Sequence, residues 1–328
     1  MAKARKTQVS LDATPYYHCV SRCVRRSFLC GIDRYSGQSY EHRRQWVEDR
    51  LHKLVGIFAI ELCAFSVMSN HTHLVLRVNR EQVLSWDRDA VIARWHSLYA
   101  GNWLSQKYTA GAALTTVENK LLDQYVQLWR ERLHDISWFM RNLNEYIARE
   151  ANREDQCTGR FWEGRFKSQA LLDDKALVSC MAYVDLNPVR AKIAETPEAS
   201  DHTSIQLRIQ KAFHSSPPAQ PKQLAAFLGN PCQDIPDGLH FKLEDYLNLV
   251  DWTGRIIRHD KRGAIGEKLP PILQRLKITA EQWSQLSQGF EKQFHQFAGD
   301  AENVKDAACR MGYKRARGIS ACRRLFTA

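Results

Sequence analysis

The stretch Asn70-His71-Thr72-His73-Leu74-Val75-Leu76-Arg77-Val78 decides the reading of the fold. From His73 onward it is a short apolar run rich in Leu and Val, which predicts a buried strand. Side chains alternate across an extended segment, so His71 and His73 point to the same face. Two imidazoles side by side on a rigid strand make half of a divalent-metal site. The pair is also compatible with two satisfied surface or core histidines, because histidine is a residue of intermediate burial. What favours the metal reading lies far downstream, in Tyr183-Val184-Asp185-Leu186-Asn187-Pro188-Val189-Arg190. On a helix Tyr183 and Asn187 are four apart and share one face. A phenol and an amide carbonyl displayed together can supply a nucleophile and a third, oxygen ligand to the same metal. Asp185 points to a different face and is not placed in the first shell of ligands.

Outward from the histidines, Phe58 to Val67 is strongly apolar and predicts a strand, joined to the histidine strand through Met68-Ser69-Asn70 as a hairpin. Upstream, Tyr16 to Cys23 predicts a first strand, and Tyr40 to Leu54 a helix with Trp46, Val47, Leu51 and Leu54 at helical spacing. Strand–helix–strand–strand is the first half of a ferredoxin-like unit. The expected class is therefore α+β: a ferredoxin-like antiparallel sheet with helices on one face, plus a mostly helical C-terminal region.

Downstream, helical patterns run from Val83 to Tyr99, Glu118 to Leu133 and Ser137 to Arg149. Phe139, Met140, Leu143, Tyr146 and Ile147 of the third suit either core packing or a helix lying along DNA. Arg160 to Leu172 reads as the last strand, with Arg160, Arg165 and Lys167 beside Phe161, Trp162 and Phe166. Basic residues interleaved with aromatics suit a single-stranded backbone with unstacked bases; they equally suit an amphipathic edge strand. Asp173-Asp174 then makes a helix start, and Pro188 stops that helix near Asn187. Tyr183 falls in the last turns, where carbonyl ends disfavour a phenolate unless a metal or an arginine cluster compensates.

The chain has 328 residues, 44% hydrophobic and 10% aromatic, and this suits a globular protein with one large core or two domains. A net charge of +11 and a pI near 9.2 point to a polyanionic partner, nucleic acid before membrane. Nine scattered cysteines without a Cys-x-x-Cys pair read as reduced thiols of a cytoplasmic protein. The basic start lacks the apolar core of a signal peptide, and no run is long enough to span a membrane. Ser215-Ser216-Pro217-Pro218-Ala219-Gln220-Pro221 marks a boundary between a catalytic region, 1–214, and a helical, basic region, 222–328. Between Lys305 and Arg324 there are seven basic residues and one acidic. Val304 to Gly312 followed by Tyr313-Lys314-Arg315-Ala316-Arg317 has the pattern of a small helix-turn-helix with a basic second helix, or of a solvated charged face. The tail is expected to add affinity or target choice and not chemistry.

Met68-Ser69-Asn70-His71-Thr72-His73-Leu74, Gly159-Arg160-Phe161-Trp162-Glu163-Gly164-Arg165-Phe166 and Tyr183-Val184-Asp185-Leu186-Asn187-Pro188-Val189-Arg190-Ala191 together resemble the three signature blocks of the REP-associated tyrosine transposases. These are bacterial single-tyrosine enzymes of the His-hydrophobe-His endonuclease superfamily. The blocks fall in the family's order and span roughly residues 14 to 205. Thr72 stands where the family has a hydrophobe, a strand-compatible change. The resemblance implies Tyr183 as nucleophile, a Mg²⁺ or Mn²⁺ on His71, His73 and Asn187, and a 5′-phosphotyrosine intermediate. It also implies single-stranded DNA beside a hairpin as substrate, with phosphates held by Arg22, Arg25, Arg26, Arg160, Arg165 and Lys167. Two rivals differ in class. A non-catalytic hairpin-binding regulator would not need the full His71, His73, Tyr183, Asn187 set. A water-activating metal hydrolase usually wants carboxylates, and none flanks the histidine strand.

Overall fold

The computed structural model describes residues 8–24, 29–33, 36–215, 219–228, 238–257 and 269–326. Its centre is an antiparallel β-hairpin, β2 (Ile60–Val67) and β3 (His71–Val78), preceded by β1 (Tyr16–Arg22) and α1 (Arg43–Val55). The expected hairpin turn at residues 68–70 is closed by Met68 N–H donating to the His71 carbonyl at 2.9 Å. β1 pairs antiparallel with β3, putting Val20 opposite His73 and Arg22 opposite His71. β4 (Lys167–Leu171) pairs antiparallel with the other side of β1. The order β2-β3-β1-β4 is that of a ferredoxin-like sheet. A two-residue strand, β5 (Phe297–Ala298), is added parallel to β4.

Between β3 and β4 lie α2 (Arg80–Ser85), α3 (Arg88–His96), α4 (Trp103–Thr109), α5 (Thr116–Arg132) and α6 (Ile136–Glu154). The single helix expected over 83–99 is two helices, because the chain turns extended at Trp86 and Asp87 recaps it by accepting from Ala90 N–H. α5 starts with a reciprocal capping box between Thr115 and Glu118. α1 packs on α6, with Arg50 Nε donating to the Asn142 carbonyl at 3.3 Å and Arg44 to the Val67 carbonyl. These two helices share one face of the sheet, and Asn144 of α6 reaches Ser21 on β1 at 2.9 Å.

The opposite face is covered by α7 (Asp174–Asp185), whose N-cap Asp173 accepts from Ala176 N–H as its sequence predicts. All ten residues from Ala176 to Asp185 are buried. A helix apolar on every side must be covered on every side. β2 and β3 cover one flank of α7 and α12 (Ala280–Gln293) another. α8 (Asn187–Arg190), α9 (Ser204–Phe213), α10 (Leu243–Ile257) and α11 (Pro271–Leu276) lie between α7 and α12 in the chain, and α13 (Ala301–Arg310) and α14 (Ile319–Phe326) finish it. Gly299 joins β5 to α13 at φ +153°, and a Cβ there would meet Asp173 Oδ2 at 2.7 Å. Only glycine allows this close approach, which lets Asp300 N–H donate to the same carboxylate at 2.6 Å.

Two further expectations are corrected. Residues 160–166 are not strand: they loop back on the end of β1, with Glu163 N–H donating to the Arg22 carbonyl and Val24 N–H to the Phe161 carbonyl. The tether amounts to one isolated antiparallel bridge, Cys23 opposite Trp162, and does not extend into a ladder. The basic segment 313–317 is not a second helix but the connection from α13 to α14, where Gly312 and Gly318 both have positive φ. Among the described residues eight cysteines take part in no disulfide, and Cys232 lies outside the described residues. No helix among the described residues is long and apolar enough to cross a membrane.

Candidate active site

β3 holds His71 and His73 on the face that α7 covers, and their ring centroids are 4.8 Å apart. Tyr183, in the last turn of α7, puts its ring 5.8 Å from that of His73. Only 9% of Tyr183 is exposed, so its position is fixed by packing. Pro188 does not merely end α7. The helix breaks at Leu186, and α8 begins at once with Pro188 in its first turn, where a missing N–H costs nothing. Tyr183 and Asn187 therefore stand on successive helices rather than on one. Arg190 joins them: its Nη2 donates to Asn187 Oδ1 at 2.8 Å, and its Nη1 to the carbonyls of Tyr183 at 2.9 Å and Ser287 at 3.0 Å. The guanidinium supplies the positive charge that a tyrosine near a helix C-terminus requires.

Each histidine has its Nδ1 engaged. His71 Nδ1 lies 2.5 Å from Asn70 Oδ1, and His73 Nδ1 lies 2.9 Å from His18 Nε2. Both rings thereby keep Nε2 for a ligand, the pattern in which outer partners orient metal-binding imidazoles. Burial pulls His18 down to about 4 and His71 to about 4, with Arg22 and Arg190 pushing His71 the same way. His73 is held well below the usual imidazole range, first by burial and then by the neighbouring histidines and arginines. All three are neutral at pH 7, as metal coordination demands. Asn187 is buried; its Oδ1 has a second lone pair beyond the Arg190 bond, and its Nδ2 has no hydrogen-bond partner. Two imidazoles and one amide oxygen fit a Mg²⁺ or Mn²⁺ completed by water and phosphate. Among the described residues no three His, Cys, Asp or Glu side chains gather as a metal cluster.

Burial raises the Tyr183 phenol above its ordinary range; Arg190 opposes this and Glu291 adds to it. Beside His18 opens a cleft of about 550 Å³, lined also by Arg165, Lys167, Gln169, Glu291 and His295 but not by His71, His73 or Tyr183. A smaller hollow of about 130 Å³ continues it to Arg22 and Gly164. The tether of residues 160–166 to β1 is what brings Arg165 alongside Arg22. Of the predicted phosphate contacts, Arg22, Arg165 and Lys167 thus line one groove. Arg160 is exposed and lines neither hollow. Arg25 and Arg26 lie outside the described residues.

Four residues of the site were not singled out from sequence. Arg190 had a local signal, since positions 183, 187 and 190 follow helical spacing. His18 and Gln169 depend on strand register, and Glu291 on the packing of α12 against α7; no local pattern announces them.

Fold and site define a class: an α+β protein whose sheet presents a histidine pair to a helix-borne tyrosine beside a groove carrying three cationic side chains. Among solved structures, the chain is similar to a REP-associated tyrosine transposase bound to a REP hairpin, at 11% identity and a TM-score of 0.38. That alignment covers 70% of this chain and 100% of the other. No protein-family model matches the chain, and no curated protein does.

Proposed function

We propose that this chain is a tyrosine transposase of the REP-associated kind, a metal-dependent enzyme that nicks and joins single-stranded DNA beside hairpins. The observation that carries the reading is the convergence of His71, His73 and Tyr183, with Arg190 on both Tyr183 and Asn187. His71 and His73 through Nε2 and Asn187 through Oδ1 would hold the Mg²⁺ or Mn²⁺, which supplies positive charge to a non-bridging phosphate oxygen when bound. Tyr183 Oη attacks the phosphorus and the bond to the 3′ oxygen breaks. The phenol proton ends on that oxygen, giving a 3′-hydroxyl and a 5′-phosphotyrosine. A free phenol has a pKa of about 10, so the attacking oxygen needs help to lose its proton. The Arg190 cation next to the ring favours the phenolate. The phosphodiester energy stays in the phosphotyrosine, so a 3′-hydroxyl can attack it and rejoin strands without ATP. Arg22, Arg165 and Lys167 hold the strand's phosphates, and binding weakens as salt rises.

The test is a denaturing gel of an end-labelled hairpin oligonucleotide with a single-stranded flank, incubated with protein and Mg²⁺ or Mn²⁺. A covalent protein–DNA band is expected. Released product without an adduct would make the protein a hydrolase, and intact but bound DNA would make it a regulator. Tyr183→Phe should remove the adduct and leave hairpin binding within a few-fold. An adduct that survives in this variant would move the nucleophile to Tyr16, Tyr17 or Tyr146.

A further inference from the structure

We infer that His18 is a positioning residue: together with Gln169 it fixes the tautomer of His73 so that His73 Nε2 carries the free lone pair. The strand register brings these groups together. Gln169 of β4 stands directly opposite His18 of β1, and His73 of β3 stands opposite Val20, diagonal to His18. Directly opposed side chains on a sheet are within contact of one another. Gln169 is 6% exposed, His18 2% and His73 1%, and although His18 and Gln169 border the cleft, the Gln169 Oε1 atom itself is shielded from bulk water.

The donor–acceptor chain has one consistent direction. Gln169 Nε2 donates to the His295 backbone carbonyl at 2.8 Å, and a carbonyl can only accept. That fixes which way the carboxamide points. Its Oε1 is buried with no partner among the hydrogen bonds of the structure, and the nearest ring it acts on is that of His18. A buried acceptor calls for a donor, which His18 Nδ1–H supplies. His18 Nε2 is then an acceptor, and it lies 2.9 Å from His73 Nδ1, which must donate. The two rings are 11° from parallel with centroids 5.2 Å apart, the arrangement an in-plane N–H···N bond needs. Running the chain backwards would set the buried Gln169 oxygen against a bare His18 Nδ1, two acceptors facing each other. The relay starts at His295, so the C-terminal region takes part in preparing a histidine on the central sheet.

The link to metal binding rests on the function proposed above; the tautomer assignment does not. The test uses the full-length, metal-free protein with ¹⁵N-labelled histidine at pH 7, read by long-range ¹H–¹⁵N correlation. His73 is expected to show a protonated Nδ1 and a bare Nε2. A protonated His73 Nε2 overturns the inference. His18→Phe keeps a ring in place and removes the acceptor. It should mix the His73 tautomers and weaken Mn²⁺ binding by about 10–100-fold, as loss of an outer-shell partner does. Gln169→Leu should act in the same direction, and Gln169→Glu, which keeps an acceptor oxygen, should restore the wild-type tautomer. A folded His18→Phe protein with unchanged tautomer and unchanged Mn²⁺ affinity also overturns it. Wild-type protein that shows the expected tautomer but binds no Mn²⁺ upholds the relay and removes the metal from the proposed function.

Discussion

The guanidinium carbon of Arg190 lies 3.9 Å from the centre of the Tyr183 ring. Arg190 is itself held by three acceptors, the carbonyls of Tyr183 and Ser287 and the amide oxygen of Asn187. One side chain thus ties Tyr183, the Asn187 amide and α12 together.

Replacing Arg190 should separate charge from geometry. Arg190→Met leaves buried acceptors unpaired and should cost about 1–3 kcal/mol of stability, together with an adduct-formation rate lowered about 100-fold. Arg190→Lys keeps the charge but cannot reach three acceptors as a planar fork, so an intermediate rate is expected. Single-turnover adduct formation and thermal melting give both readouts. A lysine variant as fast as wild type would show that the fork is dispensable.

The histidines and Asn187 should not be equivalent. His71→Ala and His73→Ala each remove an imidazole ligand and should abolish metal-dependent adduct formation. Asn187→Ala should lose less, because water can stand in for a neutral amide oxygen on Mg²⁺. Full activity of His73→Ala in Mg²⁺ would reduce the pair to a structural role.

Asp185 has a structural task two residues from Tyr183. Its carboxylate is fully buried and accepts from Ser204 Oγ, from Ile205 N–H at 3.0 Å and from Tyr246 Oη at 2.6 Å. It thereby fastens α9 and α10 to α7. Burial pushes it up to about 6. Asp185→Ala removes the acceptor of three buried donors and the negative charge near the buried Arg208, and should cost about 3–5 kcal/mol in urea unfolding. Asp185→Asn, which keeps an acceptor, should cost less. A loss below about 1 kcal/mol for the alanine variant would remove the carboxylate from the set of core tethers.

The C-terminal region cannot be studied by simple deletion. A chain ending at residue 221 would uncover the flank of α7 under α12 and the edge of β4 under β5. It should elute as aggregate and lack a native near-UV spectrum. Its contribution to DNA binding is better measured in the full chain by replacing the exposed Lys314, Arg315 and Arg317 with alanine. Weaker binding with a shallower salt slope is expected, by roughly 0.7 per lost phosphate contact on a single strand. Unchanged affinity and slope would show that this basic segment does not meet nucleic acid.

The sequence alone determined what rests on short-range pattern. The hairpin of β2 and β3, the shared face of His71 and His73, and the Asp173 start of α7 follow from alternation, turn residues and capping within a few positions. Groups whose partners lie far along the chain were decided only by the tertiary structure. Residues 160–166 carry strand-like residues, yet their backbone bonds go to the end of β1. His18 looks like any strand histidine until β1 lies between β3 and β4, one position of register putting it against His73 and Gln169. Glu291 and Phe290 enter the site because α7, apolar on every side, must be covered by another helix. Local preference sets which element forms; long-range burial sets which side chains meet, and the relay at His73 belongs to the second kind.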